Sequence, residues 1–516
     1  MSAHRLHTLG AALIIAAAAF AVYGQTLKNG FVYDDNHIIL ANIWVTDFKY
    51  VPEILTSSTI FADPLRSASN TYRPFLFILF AIEHFLFGFN ALGFHLLNVI
   101  LHALNGILVF AAASFLLSES NANIVEARDR RSYAVFHNLF PPLLAGLVFV
   151  LHPVNSEVAN WVSATAELSF TFLFLIAFYL YVRGGRVRLG LSIACFFSAL
   201  LFKEPAIVLP ALLAAYDIIR KGRAAVRCIK AYILFGVAAS IYMVIRTAAV
   251  GGIVHQKKIV FSFYETVINI FPLIAHYLSK LLYPAGLNVL YEFHPAHAIT
   301  DPRALAGILA AAVFAYLIFI WRDKVVSTAL VLAALPILPV LYIPALSSAA
   351  VADRYLYLPS AGFALIIAYA ARRFLSPGIG SSGGGFKAAA ALFISAALLF
   401  SYSAADLKRS LAWRSDYTLW ADTLEKSPRN PNAHYNFAWS SQGRGDVKSA
   451  IVHYKEAIRL APAGAADAHY NLGIIYTNQF MLDEALSEFQ ETLSLNPGYA
   501  DAKEGMNKAL MLKNQD

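Results

Sequence analysis

Charge is scarce in this chain. Only 14% of its 516 residues are Asp, Glu, Lys or Arg, against roughly 25% in an ordinary soluble domain, while 58% are hydrophobic. A cytosolic enzyme of ordinary composition is excluded. Cysteine is scarcer still. Cys195 sits in an apolar run and Cys228 in a basic loop, which gives neither a disulfide framework nor a zinc spacing. No Ala-x-Ala cleavage site followed by a soluble domain comes after the first apolar run, 9–24, so that run reads as a retained anchor rather than a signal peptide. Internal symmetry between halves is also missing, and polar residues cluster at the ends of apolar runs, both of which argue against a transporter.

What charge there is divides unevenly. Residues 406–516 carry 26 charged side chains and residues 1–405 carry 46, with net charges of −2 and +10. The chain therefore reads as a polytopic membrane domain, 1–405, followed by a small water-soluble tail, 406–516. The basic excess lies between apolar segments, which is the positive-inside pattern and not a nucleic-acid footprint. Runs near 9–24, 94–117, 138–151, 168–182, 189–202, 206–219, 231–249, 304–321, 326–345, 355–371 and 388–405 give about eleven spans. Basic clusters follow alternate spans: Arg128, Arg130 and Arg131; Arg183, Arg186 and Arg188; Arg220, Lys221, Arg223, Arg227 and Lys230; Arg322 and Lys324; Arg372 and Arg373. A cytoplasmic N-terminus and an extracytoplasmic tail satisfy all of them. This parity requires that 75–87 lie at the interface and that 262–282 not cross. The stretch 380–385 reads as a flexible cytoplasmic linker.

The tail repeats itself. Ala433-His434-Tyr435-Asn436-Phe437 returns as Ala468-His469-Tyr470-Asn471-Leu472, an offset of 35, and Pro428, Pro462 and Pro497 recur at offsets of 34 and 35. Small Ala450 and Ala485 occupy matching second-helix positions. A period of about 34 residues with two helices per unit is the tetratricopeptide pattern. The expected array is a partial unit (416–427), two full repeats and a capping helix (500–512), an α-solenoid surface for a peptide or partner. The fold class is all-α.

Chemistry-bearing residues gather where spans meet the outer side. Asp34 and Asp35 follow the first span; adjacent carboxylates raise one another's pKa unless a cation shares the site. They read either as a solvated loop or as a general base with its neighbour. His95, Asn98 and His102 share one face of the second span, as interhelical hydrogen bonds or as cavity lining. His152 through Glu157 leave the third span, Glu167 opens the fourth, Lys203-Glu204 joins the fifth to the sixth, and Asp353-Arg354 precedes the tenth. Lys203-Glu204 and Asp353-Arg354 read equally as local ion pairs or as cations for a phosphate. No spacing demands a metal, although a divalent ion held by Asp34 with a His or Glu is possible.

Taken in order, Phe31-Val32-Tyr33-Asp34-Asp35, Tyr72-Arg73-Pro74, Gly93-Phe94-His95-Leu96-Leu97-Asn98, His152-Pro153-Val154-Asn155-Ser156-Glu157, Lys203-Glu204 and Arg354-Tyr355-Leu356-Tyr357-Leu358-Pro359 resemble the transmembrane-and-tetratricopeptide protein O-mannosyltransferases. The resemblance covers nearly the whole chain. It implies a GT-C fold, an inverting glycosyltransferase that uses a polyprenyl-phosphate-linked sugar, and an extracytoplasmic acceptor such as protein Ser or Thr. It implies Asp34 as base with Asp35 as partner. Arg73, His95, Asn98, His152, Glu157, Glu167, Lys203, Glu204 and Arg354 are the expected substrate contacts. The array is shorter than in animal members, which points to a bacterial relative with an undecaprenyl carrier and a periplasmic tail. Asn155 stands where those members usually show His. The competing reading is a non-catalytic membrane scaffold whose repeats recruit an envelope assembly.

Overall fold

The computed structural model describes residues 3–58, 71–118, 131–252, 261–321, 323–342, 351–375 and 384–515. Arg128, Arg130, Arg322 and residues 380–383 of the glycine-rich stretch lie outside the described residues. Every regular element among the described residues is helical. The chain forms two compact units, Met1–Leu287 with Pro295–Leu411, and Asn288–His294 with Ala412–Asp516.

The first unit is a bundle of apolar helices. They are α1 (Ala3–Tyr23), α2 (Pro74–Phe87), α3 (Ala91–Ser118), α4 (Arg131–Leu151), α5 (Thr165–Val182), α6 (Arg186–Phe202), α7 (Leu209–Lys221), α8 (Ile229–Val250), α9 (Ile270–Leu282), α10 (Pro302–Ile320), α11 (Lys324–Ala334), α12 (Tyr357–Leu375) and α13 (Gly384–Ala412). Each of the eleven expected runs is helical over most of its described residues. By length and composition, seven helical stretches among the described residues can cross a membrane, or eight when the bent pair 136–151 and 153–160 counts as one. The number falls short of eleven because α6 has 17 residues, α10 is short in its apolar part, and α7 and α8 read as one stretch. Segment 262–282 forms a six-residue helix, Phe263–Ile268, capped by Ser262, and after Asn269 continues as α9. Helix α9 lies along α10.

Small residues let the bundle close. Helices α1, α3 and α4 pack on one another, and a Cβ added at Gly106 or Gly146 would overlap Ile15. Close backbone approach of this kind replaces the hydrophobic drive that apolar helices lack in lipid. Buried amides and imidazoles join the same helices. His102 Nε2 donates to the Val150 carbonyl (3.0 Å) and its Nδ1 accepts from the Tyr357 hydroxyl (2.8 Å). Asn105 Nδ2 donates to the Leu168 carbonyl (3.1 Å) and the Tyr357 hydroxyl (3.1 Å).

The second unit holds α14 (Asp416–Lys426), α15 (Pro431–Gly443), α16 (Val447–Leu460), α17 (Ala466–Asn478), α18 (Leu482–Leu495) and α19 (Ala500–Lys513). Composition changes at 405, whereas the packing divides after Leu411, because α13 continues unbroken to Ala412. Ala450 and Ala485 are fully buried where paired helices touch. Phe489 fills the space between α17 and α19, with ring atoms 2.7 Å from where a Cβ would stand on Gly473 or Gly505. That contact ties one repeat to the next. Adding bulk at Ala485 overpacks the junction, and the expected cost is about 1–3 kcal/mol for Ala485→Leu. Thermal unfolding of the purified chain, read by circular dichroism, checks it against an exposed control such as Glu491→Leu, for which little change is expected.

Candidate active site

The site lies at one end of the first unit, where α1 and α4 finish and α3, α5, α7 and α12 begin. After α1 the chain enters the loop that carries Tyr33, Asp34 and Asp35. Tyr33 adopts φ 56°, a left-handed conformation that costs about 1–3 kcal/mol when a side chain is present. Two contacts hold it there. The Tyr33 ring stacks on Trp161 with centroids 5.5 Å apart, and Asp35 is tied down on both sides. Val32 N–H donates to Asp35 Oδ2 (3.1 Å), while Ser163 donates to Oδ1 from its N–H (2.8 Å) and its hydroxyl (2.5 Å). Asp35 is fully buried. Below, Ile39, Trp44, Val45, Leu76, Phe77, Phe80, Phe94 and Val162 form a single apolar cluster that seats the loop on α2 and α3.

The two carboxylates therefore differ. Burial pushes Asp35 up to about 7, although the Ser163 hydroxyl, the Val32 N–H and the Ser163 N–H pull it back; the Asp34 charge adds to the rise. Asp34 is half-buried, and its carboxylate accepts no hydrogen bond from the described residues. Burial lifts it to about 6, with the Arg354 guanidinium opposing the shift. A carboxyl titrating there is ionised at neutral pH yet basic enough to take a proton.

Arg354 acts on Asp34, and Lys203 and Arg73 belong to the same charge cluster through Glu167; each of the three cations is paired to a carboxylate distant in sequence. Arg354 Nη1 donates to Glu157 Oε1 (2.6 Å), its Nε lies 3.9 Å from Glu167 Oε1, and its guanidinium sits 5.3 Å from the Trp161 ring and 5.2 Å from the Tyr355 ring. Lys203 Nζ bonds Glu167. Burial lowers Lys203 to about 8; Glu167 raises it, and Arg73 and Arg354 lower it further. Arg73 reaches Glu204 Oε2 through Nη2 (3.3 Å) and Nε (3.4 Å). Glu157 Oε2 is buried with no hydrogen-bond partner among the described residues.

The other expected contacts serve the backbone. His95 Nε2 donates to the Gly30 carbonyl (3.3 Å), which pins the aspartate loop to α3. Asn98 Nδ2 donates to the Trp161 carbonyl (2.9 Å) and its Oδ1 accepts from the Thr165 hydroxyl (2.6 Å). His152 Nε2 donates to the Leu281 carbonyl (3.0 Å), and its Nδ1 accepts from Val154 N–H (3.3 Å). All three side chains are fully buried. Among the described residues no three His, Cys, Asp or Glu side chains group as a metal site.

Sequence reasoning missed Trp161, Ser163 and Arg246, and it named Tyr355 only as part of a motif. Arg246 stands on the buried face of α8, near enough for its charge to act on Glu204. The available signal was a lone arginine inside an apolar run, which is costly unless it meets a partner or a cavity. Trp161 and Ser163 had a weaker one, a polar-aromatic break between two apolar stretches.

Comparison with known proteins gives consistent relatives. Residues 466–499 match the tetratricopeptide repeat model. The chain is 22% identical to "Protein O-mannosyl-transferase TMTC3" of Homo sapiens over 94% of this chain and 55% of the relative. It is 24% identical to "Protein O-mannosyl-transferase TMTC1" of Mus musculus over 90% and 59%. A shorter stretch, 37% of this chain and 21% of the relative, is 32% identical to "Protein O-mannosyl-transferase Tmtc1" of Drosophila melanogaster. The chain spans about half the length of the curated relatives it matches.

The Ser163–Asp35 contact makes a prediction that needs no substrate. Ser163→Ala leaves a buried carboxylate short of one donor, with an expected cost of about 1–3 kcal/mol. Because Asp35 binds its proton more tightly folded than unfolded, its ionisation already weakens the fold as pH rises from about 4 towards about 7. Loss of the hydroxyl extends that decline to higher pH. Hydrogen exchange of the 30–40 loop against pH checks this, with Ser163→Thr restoring the wild-type profile.

Proposed function

We propose that this homologue of the protein O-mannosyl-transferases is itself a membrane glycosyltransferase, taking its sugar from a polyprenyl phosphate and passing it to an acceptor hydroxyl with inversion. The observation that carries this reading is Asp34, a half-buried carboxylate lifted to about 6 that accepts no hydrogen bond from the described residues and shares its site with Arg354, Lys203 and Arg73.

In the proposed step the acceptor hydroxyl lies beside Asp34. Asp34 takes its proton as the hydroxyl oxygen bonds to the anomeric carbon. The bond from that carbon to the phosphate oxygen breaks on the opposite face, and the lipid phosphate leaves with the electron pair. The cations offset its charge, Arg73 and Arg354 through paired N–H donors suited to phosphate. The bare Glu157 Oε2 is available to a sugar or acceptor hydroxyl. Asp35 holds the loop and takes no proton from substrate; His95, Asn98 and His152 support the wall by bonding its backbone. The step as proposed uses protein groups alone. The repeats would present the acceptor polypeptide, consistent with a solenoid's extended inner surface. This arrangement requires the N-terminus inside and the tail outside the bilayer.

Transfer of labelled mannose from polyprenyl-phosphate mannose to Ser/Thr peptides, by the full chain in vesicles, is the test. Asp34→Asn is expected to lower the rate about 10²–10⁴-fold with folding intact. The wild-type rate is expected to rise as pH passes about 6, where Asp34 loses its proton, and then to level. Equal rates in wild type and Asp34→Asn would remove Asp34 as the base. No transfer by the wild type, with retained binding of an envelope partner, would favour the scaffold.

A further inference from the structure

Helix α5 runs 18 residues, about 27 Å, and carries Glu167 in its first turn at the candidate site and Tyr181 in its last turn at the far end of the bundle. A second buried carboxylate organises that end. The Tyr181 hydroxyl (2.5 Å) and the Tyr232 hydroxyl (2.7 Å) donate to Asp217 Oδ2, and Lys221 Nζ lies 2.7 Å from Oδ1. This knot joins α5, α7 and α8, and so fixes the tight turn Gly222–Cys228 between the last two. Ala225 is buried as the turn's anchor.

The outer side of that turn is unlike the candidate site. There Arg73, Lys203 and Arg354 are each matched by a carboxylate. Here Arg223, Arg227 and Lys230 are exposed and pair with no carboxylate among the described residues. Between them Val226 is 71% exposed and Ile229 51% exposed. Cations alone would suit any polyanion. Bare aliphatic side chains interleaved with cations, at the very ends of apolar helices, suit the boundary where headgroups meet acyl chains.

We propose that the turn between α7 and α8 is a binding site for the phosphate headgroup of an anionic phospholipid. Arg223, Arg227 and Lys230 meet the phosphate while Val226 and Ile229 enter the upper acyl region. The buried knot at Asp217 holds the backbone so that the cations are displayed together. Because the helices already set the turn at the bilayer surface, the ligand is a permanent neighbour and modest intrinsic affinity suffices.

The test uses the full chain in a neutral detergent, titrated with phosphatidylglycerol and phosphatidylcholine of matched chains and read by native mass spectrometry. The wild type is expected to retain phosphatidylglycerol about tenfold better, a preference weakened by salt. The triple variant R223Q/R227Q/K230Q leaves Asp217 and its partners in place, so it is expected to melt like wild type and lose the preference. Equal retention of the two lipids by the wild type would overturn the proposal, as would a well-folded triple variant that keeps the preference. Displacement of phosphatidylglycerol by soluble glycerophosphate or a single-stranded oligonucleotide, at equal phosphate concentration, would overturn the lipid assignment.

Discussion

The candidate site depends on one buried carboxylate being fully answered. Asp35 lies beneath its loop with three donors on it, two from Ser163 and one from Val32. An ionised carboxylate without them would be among the most expensive groups to bury. With them it becomes a staple between the first loop and the connection leading into α5. The staple offsets the cost of the left-handed backbone at Tyr33 and fixes which way the next residue points. Adjacent aspartates thus acquire opposite fates: one is consumed in holding the loop, and the other is left open because its neighbour is held.

The same logic separates the bundle's two ends. At the candidate site every cation of the set is matched by a carboxylate from another helix, so the local net charge is small although charges are many. At the α7–α8 turn the buried acid Asp217 is spent on Tyr181, Tyr232 and Lys221, and the exposed cations keep their full charge. Net charge per segment, which sequence supplies, does not distinguish these two conditions.

Helix positions, the repeat and the clustering of polar residues at span ends were legible, because each depends on periodicity or on the cost of polar groups in an apolar run. Partner choice was not. Lys203 and Glu204 are neighbours in sequence, yet Lys203 bonds Glu167 and Glu204 bonds Arg73. The reason is local geometry: Lys203 is extended, with φ −161° and ψ 135°, so successive side chains leave on opposite sides. Arg354 likewise passes over Asp353 for Glu157, since adjacent residues in a helical turn do not face each other. His95, Asn98 and His152 were visible as polar residues near the site. Only the fold shows that their hydrogen bonds end on carbonyls of Gly30, Trp161 and Leu281. Ser163 carries only a weak sequence signal, because its importance arises from a contact made 128 residues away.

On the proposed reading, paired cations set where a lipid phosphate can enter. A phosphate that approaches an ion pair must share the cation, and the displaced carboxylate then pays in lost solvation according to its burial. The Glu157 and Glu167 side chains are 1% and 5% exposed, so releasing either strands a charge in a dry environment. Glu204 is 26% exposed and its partner Arg73 25%, which leaves water able to receive the carboxylate. Arg246 adds a second positive charge near Glu204. The Arg73 side of the site is therefore the cheaper place to admit an anion. The Arg354 and Lys203 pairs, harder to open, are better suited to holding a fixed positive field opposite Asp34 while the leaving phosphate gathers charge.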